Sequence, residues 1–146
     1  MRIFKEKKPK GITVIVGCGR LGSNIANSIS DDGNDVIVID KNRDAFRRLS
    51  SGFGGYTIVG DCTDLSVLEE AELKKADVLV AVTNEDSVNI MVSELAKGHY
   101  GVKDVVTRIY DPERSCALKD SGIQMVCPSL LTATAIETIL MKKTEN

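Results

Sequence analysis

The sequence has few of the residues that metal sites and disulfides require. It contains one histidine, His99, and four cysteines, none of which forms a C-x-x-C pair. The cysteine spacings match no zinc ribbon, so we predict that no metal is bound. Cys18, Cys62 and Cys127 lie in or beside apolar, strand-like segments, which predicts reduced, packed thiols of a cytosolic protein.

Long apolar segments and a strong net charge are also absent. No stretch approaches ~18 apolar residues, so we expect no membrane span. Residues 1–10 (MRIFKEKKPK) lack the apolar core of a signal peptide; we expect a solvated basic arm, or a tether to a partner or to lipid headgroups. The chain has 19 Lys and Arg residues against 21 Asp and Glu residues, and this net charge of −2 argues against nucleic acid as a partner.

The chain does contain an alternation of short apolar runs and helical patterns, over a length typical of one domain. The six runs are residues 12–16, 36–39, 56–59, 78–82, 105–110 and 125–127. Runs that are apolar on both faces suit strands covered by helices on both sides. We therefore predict an α/β fold: a Rossmann-like, doubly wound, parallel six-stranded sheet with helices on both faces and strand order 3-2-1-4-5-6.

Apolar spacing and capping residues predict helices between these runs. Leu21, Ile25 and Ile29 mark the buried face of the first helix, which Gly33 ends. A second helix is predicted at 45–49, and a third at 65–73, capped by Thr63 or Asp64. A fourth is capped by Asp86 and has an apolar face of Val88, Met91, Val92 and Leu95. A fifth begins at Pro112 after Asp111, and a terminal helix is predicted at 129–143. The last carries an apolar stripe and is separated from the sheet by Pro128, which predicts a partner surface and hence a dimer or larger ring.

The strongest local signal is Gly17-Cys18-Gly19-Arg20-Leu21-Gly22, which fits G-x-G-x-x-G between the first strand and the first helix. Gly17 permits the tight turn, Gly19 lets backbone N–H groups approach a phosphate, and Gly22 lets the helix pack close to the sheet. The helix N-terminus adds partial positive charge. Arg20 either reaches the phosphates or is an exposed cation of the first turn. We include all six residues, Cys18 and Leu21 among them, in the predicted nucleotide site.

A carboxylate follows at the end of the second run. Asp40 can accept both hydroxyls of an adenosine ribose and would repel a 2′-phosphate, so NADP is disfavoured; its alternative role is to cap the next helix. Lys41 is included in the predicted site, although Lys41 and Arg43 weaken the argument against NADP. The ribose contact is the same for NAD(H), ATP, ADP and AMP, so Asp40 predicts an adenine nucleotide without selecting one.

Further candidate residues follow the next strands. Asp61 could accept from the adenine amino group, and the Cys62 N–H could face a ring nitrogen. Thr83 follows the fourth run, where the strand order reverses and open α/β sheets bind ligands, so we place it against the ribose or phosphates. The alternative for all three is a turn or cap role. Arg108, within an apolar run, needs a partner: distal phosphates, a carboxylate across a subunit interface, or an internal salt bridge.

These segments together resemble the nucleotide-binding N-terminal domain of Trk/Ktr-type potassium uptake regulators, also called the RCK N or Trk N domain. The resemblance covers about residues 11–141. It is carried by VIVGCGRLG at 14–22, VIVID at 36–40, VGDCTD at 59–64, AVTNEDSVNI at 81–90, TRIYDPE at 107–113 and VCPS at 126–129.

The resemblance implies a cytoplasmic regulatory subunit, peripheral to the inner face of the membrane, that gates a potassium channel or transporter as part of a dimer or larger ring. It implies phosphate contacts from Gly17, Gly19, Arg20 and Gly22, a ribose contact from Asp40, adenine contacts from Asp61 and Cys62, and a pocket completed by Thr83 and Arg108. Residues 11–146 would form the domain, with the helix at 129–143 packing across a neighbouring subunit. Many members continue into a second regulatory domain; since this chain ends at Asn146, we expect that domain on a separate chain or not at all.

The alternative is an NAD-dependent oxidoreductase domain. Such an enzyme needs a substrate domain or an acid–base group near the nicotinamide. We expect no room for a second domain, Tyr100 and Lys103 stand one position short of Tyr-x-x-x-Lys, and His99 is expected at the far end of the fourth helix. We therefore predict no catalytic residues and no enzymatic activity.

Overall fold

The computed structural model describes residues 11–144, which form one all-parallel six-stranded sheet in the order β3-β2-β1-β4-β5-β6. The strands are β1 (Ile12–Val16), β2 (Asp35–Asp40), β3 (Tyr56–Val59), β4 (Val78–Ala81), β5 (Asp104–Arg108) and β6 (Gln124–Val126). The predicted sheet and its strand order are confirmed. The arm predicted at residues 1–10 lies outside the described residues.

Helices cover both faces of this sheet, as predicted. They are α1 (Arg20–Asp31), α2 (Leu65–Glu70), α3 (Asp86–Glu94) and α4 (Pro128–Thr144), with 3-10 helices at Arg43–Arg48, Leu73–Lys75 and Pro112–Leu118 and a π turn at Leu95–His99. Alternate side chains of a strand point to opposite faces. On β1, Val14 and Val16 therefore pack in the core beneath α2 and α3, while Ile15 packs in the core beneath α1.

Two helix starts follow the predicted caps, and one helix is shorter than predicted. Asp64, rather than Thr63, begins α2 by accepting the N–H two residues further along, and Asp111 does the same for the helix at Pro112–Leu118. α2 ends at Glu70 instead of residue 73 because Glu72 adopts a left-handed conformation with φ of 54°. The buried face of the predicted 65–73 helix is thus divided between α2 and a separate 3-10 turn.

The prediction that Asp86 caps the fourth helix is wrong. Asp86 is the first residue of α3, and its carboxylate accepts the N–H groups of Tyr110 at 2.8 Å and Asp111 at 2.9 Å. Because these two N–H groups follow β5, the side chain connects α3 to the neighbouring strand instead of stabilising its own helix. Met91, predicted on the buried face of this helix, is 37% exposed.

The terminal helix α4 also differs from its prediction. It begins at Pro128, and its large apolar side chains are spread around the helix instead of forming one stripe. They are 51–67% exposed: Leu130, Leu131, Ile136, Ile139, Leu140 and Met141. A helix that is apolar on all sides is usually covered by other protein or lipid, yet within residues 11–144 no helix meets both the length and the hydropathy that a membrane crossing requires.

Candidate functional site

A cavity of about 790 Å³ opens at the carboxyl ends of the central strands. Its walls are residues 16–19 at the end of β1, residues 39–42, 44, 45, 47 and 48 at and after the end of β2, residues 60–63 after β3, and residues 82–85 and 88 around the loop after β4. β1 pairs with β2 on one side and β4 on the other, so the cavity lies at the point where the strand order reverses. Open α/β sheets bind ligands at this point, and the volume falls within the roughly 300–1,000 Å³ of small-molecule sites.

The glycine loop forms the base of this cavity, and two of its glycines are required by the geometry. Gly17 has φ of 101°, and a Cβ there would lie 2.8 Å from the carbonyl oxygen of Val82. A Cβ on Gly22 would collide with the carbonyl oxygen of Gly17, so α1 can approach the sheet only with glycine at this position. A Cβ on Gly19 would meet nothing within 4 Å, which leaves open space where the loop faces the cavity.

Asp40 holds the glycine loop against the end of β2. One carboxylate oxygen accepts the N–H of Cys18 at 2.8 Å, and the other accepts the N–H of Asn42 at 2.8 Å. Each carboxylate oxygen can accept a second hydrogen bond. The half-buried carboxylate therefore both fixes the loop and presents acceptors to the cavity.

Asp61 lies at the β3 side of the cavity with one oxygen already engaged. Its Oδ1 accepts the N–H of Thr63 at 2.9 Å and the Thr63 hydroxyl at 2.7 Å. These bonds, the backbone one first, lower the pKa of Asp61. Burial raises the pKa of the Cys62 thiol next to it to about 11, so at neutral pH that thiol is uncharged.

Thr83 lines the opposite side of the cavity and is held by a residue that the sequence reasoning missed. Its N–H and hydroxyl both donate to Oδ1 of Asn89, at 2.9 Å and 2.6 Å. The Asn89 amide in turn donates to the carbonyl oxygens of Thr83 and Arg108, at 3.1 Å and 2.8 Å. Asn89 is fully buried. Its polar side chain among the apolar positions of the α3 pattern is the signal that could have identified it.

Four residues of the predicted set do not line the cavity: Gly22, which packs α1 against the sheet, and Arg20, Leu21 and Arg108. Arg20 and Leu21 are exposed on the first turn of α1. Arg108 donates through Nη2 to the carbonyl oxygens of Val82 and Thr83, at 3.0 Å and 3.2 Å, and lies 4.7 Å from the centroid of the Tyr110 ring. Its charge therefore lies behind the β4 loop, and within residues 11–144 it pairs with backbone carbonyls in place of the carboxylate that an internal salt bridge would require.

Lys41 lines the cavity and forms an ion pair across it. Its Nζ lies 3.7 Å from Oε1 of Glu85, and both side chains are well exposed. Lys41 follows β2 and Glu85 follows β4, so the pair spans the glycine loop between them. An anionic ligand on that loop would compete with Glu85 for Lys41.

The chemistry of the cavity favours binding. Both thiols that face it are uncharged at neutral pH, because burial raises the pKa of Cys18, like that of Cys62, to about 11. His99 lies in the π turn that follows α3, and it does not line the cavity. Within residues 11–144, no group of three or more His, Cys, Asp and Glu side chains is placed to hold a metal ion.

Residues 13–128 match the family model described as the TrkA-N domain. The chain is 40% identical over 120 residues to the Trk system potassium uptake protein TrkA of Streptomyces coelicolor, an alignment that covers 82% of this chain and 54% of that protein. It is 41% identical over 100 residues to a TrkA homolog of Pyrococcus abyssi, covering 68% of this chain and 44% of that protein. The chain thus spans about half the length of these relatives.

Solved structures show the same fold. The TrkA-N domain of the Escherichia coli inner membrane protein ybaL superposes with a TM-score of 0.79 at 17% identity, over 90% of this chain and 97% of that one. The GsuK channel bound to NAD gives 0.77 at 22% identity, over 96% of this chain and 25% of that one. The Shewanella denitrificans Kef CTD in its AMP-bound form gives 0.75 at 21% identity, over 92% and 82%. With the glycine loop, Asp40 and the strand order in place, the chain belongs to the TrkA-N domain family.

Proposed function

We propose that this domain binds an adenine nucleotide and thereby regulates a potassium channel or transporter. The observation that carries the proposal is the Asp40 carboxylate, held beside the glycine loop at the base of the cavity. Gly17 and Gly19 contact the phosphates, with the N-terminus of α1 adding partial positive charge, and Asp40 accepts the ribose hydroxyls. Asp61 and Cys62 contact the adenine, and the negative charge of Asp40 disfavours the 2′-phosphate of NADP.

Support for the regulatory role comes from the relatives. Those at 40–41% identity are named for Trk potassium uptake, and structures of similar fold are described with NAD and AMP bound. The domain acts by binding and not by catalysis, because the cavity presents no acid–base pair or activated nucleophile to a substrate. NAD(H), ATP, ADP and AMP share the adenosine that this site recognises.

The exposed helix α4 is the element that connects nucleotide binding to assembly. Its six large apolar side chains pack on a neighbouring subunit, so that the domain forms a dimer or larger ring at the cytoplasmic face of the membrane transporter. A nucleotide changes the equilibrium between two arrangements of the ring only if it binds one of them more tightly than the other, and the difference in affinity sets the size of the change. A monomeric mass in solution, without and with nucleotide, would contradict this arrangement.

Calorimetric titration with ATP, ADP, AMP and NADH tests the nucleotide site. We expect binding by the wild-type chain and a loss of on the order of tenfold or more in Asp40→Asn, because a charge-assisted hydrogen bond to the ribose is weakened. Asp40→Asn keeps an oxygen that accepts one loop N–H, so it perturbs the loop less than Asp40→Ala. The matched control is Asp31→Asn, at the end of α1 away from the cavity. Failure of the wild-type chain to bind any of the four nucleotides would overturn the proposal.

A further inference from the structure

Three cationic side chains line the cavity, and two of them already have a carboxylate partner. Lys41 lies 3.7 Å from Glu85, and Arg47 lies 3.7 Å from Asp44. Arg48 is the third, and within residues 11–144 its guanidinium has no ion-pair or hydrogen-bond partner. Among the described residues, the cavity therefore contains one cationic side chain that has no ion-pair or hydrogen-bond partner.

Neighbouring residues hold the backbone that carries Arg48, although its guanidinium has no partner within residues 11–144. Arg48 is the last residue of the 3-10 helix after β2, and its carbonyl oxygen accepts from the side chain of Asn27 on α1 at 3.5 Å. The same Asn27 accepts the N–H of Ser50 at 2.9 Å. Phe46 and Leu49, on either side, pack against the core beneath α1. A long side chain with an anchored stem loses less freedom when its head binds a ligand.

Arg48 and the glycine loop, residues 17–19, line the same cavity. Burial, and after it the negative charge of Asp40, raise the pKa of the Cys18 thiol to about 11, and the positive charge of Arg48 acts in the opposite direction. A phosphate bound on the loop would lie in the cavity that Arg48 lines.

The charge balance of the cavity favours a role for this cation in binding an anionic ligand. The cavity is lined by four carboxylates, Asp40, Asp44, Asp61 and Glu85, against three cations. Arg20, predicted at the phosphates, and Arg108, for which distal phosphates were one of three predicted partners, do not line the cavity.

We propose that Arg48 is the side chain that binds the 5′-phosphates of the nucleotide, from the wall of the cavity that it shares with the glycine loop. This assignment rests on the proposed nucleotide site. A guanidinium presents a planar fork of N–H donors that matches two phosphate oxygens. Arg48 therefore determines affinity for the phosphorylated ligand and contributes nothing to recognition of the base. It selects nucleotides over nucleosides.

The test compares adenosine, AMP and ADP by calorimetry with the wild-type chain and with Arg48→Gln. We expect the variant to lose on the order of tenfold or more in affinity for AMP and ADP, the effect of removing one charge-assisted hydrogen-bonded pair, and to bind adenosine within about twofold of wild type. Arg48→Lys, which keeps the charge without the fork, recovers part of the loss. Arg43→Gln is the matched control, since Arg43 lies on the same 3-10 helix but outside the cavity lining, and it leaves all three affinities unchanged.

Other outcomes separate this assignment from the nucleotide site itself. Equal losses for adenosine and AMP would place Arg48 on the base or ribose and overturn the assignment. In further titrations of the same variant with NADH and NADPH, a loss confined to NADPH would place Arg48 on a 2′-phosphate and also overturn the assignment. Wild-type binding with an unchanged Arg48→Gln variant would overturn the Arg48 assignment alone, whereas no binding by the wild-type chain would overturn the proposed function with it. Thermal unfolding of each variant, expected to match wild type, controls for folding.

Discussion

The two sides of the cavity rim are held in different ways. On the side of β1 and β2, the glycine loop is held by one carboxylate, Asp40, whose oxygens can still accept from a ligand, and among the described residues the Arg48 guanidinium has no ion-pair or hydrogen-bond partner. On the side of β4 and β5, Asn89 makes four hydrogen bonds while fully buried. Asp86 makes two more, to N–H groups that follow β5.

The difference shows which side can respond to a ligand. Groups with unused donors or acceptors can exchange partners when a nucleotide binds, at little cost to the fold. Buried groups whose hydrogen bonds are satisfied within the protein resist movement, since a lost partner leaves a polar atom unsatisfied. Under the proposed function, the first side is therefore the one that binds the ligand, and the second is a rigid support that fixes Thr83 and the end of β5.

Removing the support should have the largest effect on stability. We expect Asn89→Leu to lower the free energy of unfolding by about 3 kcal/mol, because it leaves the Thr83 N–H and the Arg108 carbonyl without buried partners. Urea unfolding measures this change. Asn24→Leu, at an exposed position on α1, is the matched control and should change stability by less than about 0.5 kcal/mol. A loss below about 1 kcal/mol for Asn89→Leu would show that the two sides do not differ in rigidity.

The same division separates what the sequence could and could not predict. The glycine loop and Asp40 are neighbours along the first β-α-β unit, so spacing alone places them together, and the cavity contains both. Asn89 and Asp86 act on residues about 20 positions away, across two strands, and no local pattern encodes those bonds. Asp86 therefore looked like a cap, because reading along the chain cannot show that the N–H groups of Tyr110 and Asp111 donate to its carboxylate. The bonds from the Arg108 guanidinium to the carbonyl oxygens of Val82 and Thr83 are hidden from such a reading for the same reason.

The remaining differences between prediction and structure concern α4 and Arg48, and both depend on the surroundings of the side chains in the folded chain. Leu130 and Ile139 indicated an apolar helix correctly, but α4 has no buried face in the described chain, so the sequence could not give the orientation of its contacts. Arg48 was overlooked because an arginine in a short polar helix looks like a solvated surface residue. Its role depends on which of its neighbours are already paired, which only the three-dimensional arrangement shows.

A smaller effect is expected where an ion pair crosses the rim from one side to the other. Glu85→Gln should raise the affinity for ADP by roughly two- to fivefold, since it removes a negative charge near the glycine loop and releases Lys41. The free energy of unfolding should change by less than about 1 kcal/mol, because the ion pair is exposed. Calorimetry at low and high salt measures both the gain and its screening. Glu94→Gln, at the end of α3 away from the cavity, is the control. An unchanged or lower affinity would show that Glu85 does not oppose the bound phosphates.

The smallest effect concerns the protonation of Asp61, on the ligand-binding side. The Thr63 N–H and then its hydroxyl lower the pKa of Asp61 below the ordinary 3.8, so its contribution to stability is present above that pH and is lost as the pH falls through the lowered value. Thr63→Val removes only the hydroxyl and should raise the pKa part of the way, as carboxyl NMR titration would show. If Asp61 accepts from the adenine amino group, adding AMP should lower its pKa further, because the bond favours the charged form. A pKa that does not change with AMP would mean that Asp61 serves only its own turn, and that the adenine is recognised by the backbone around Cys62 instead.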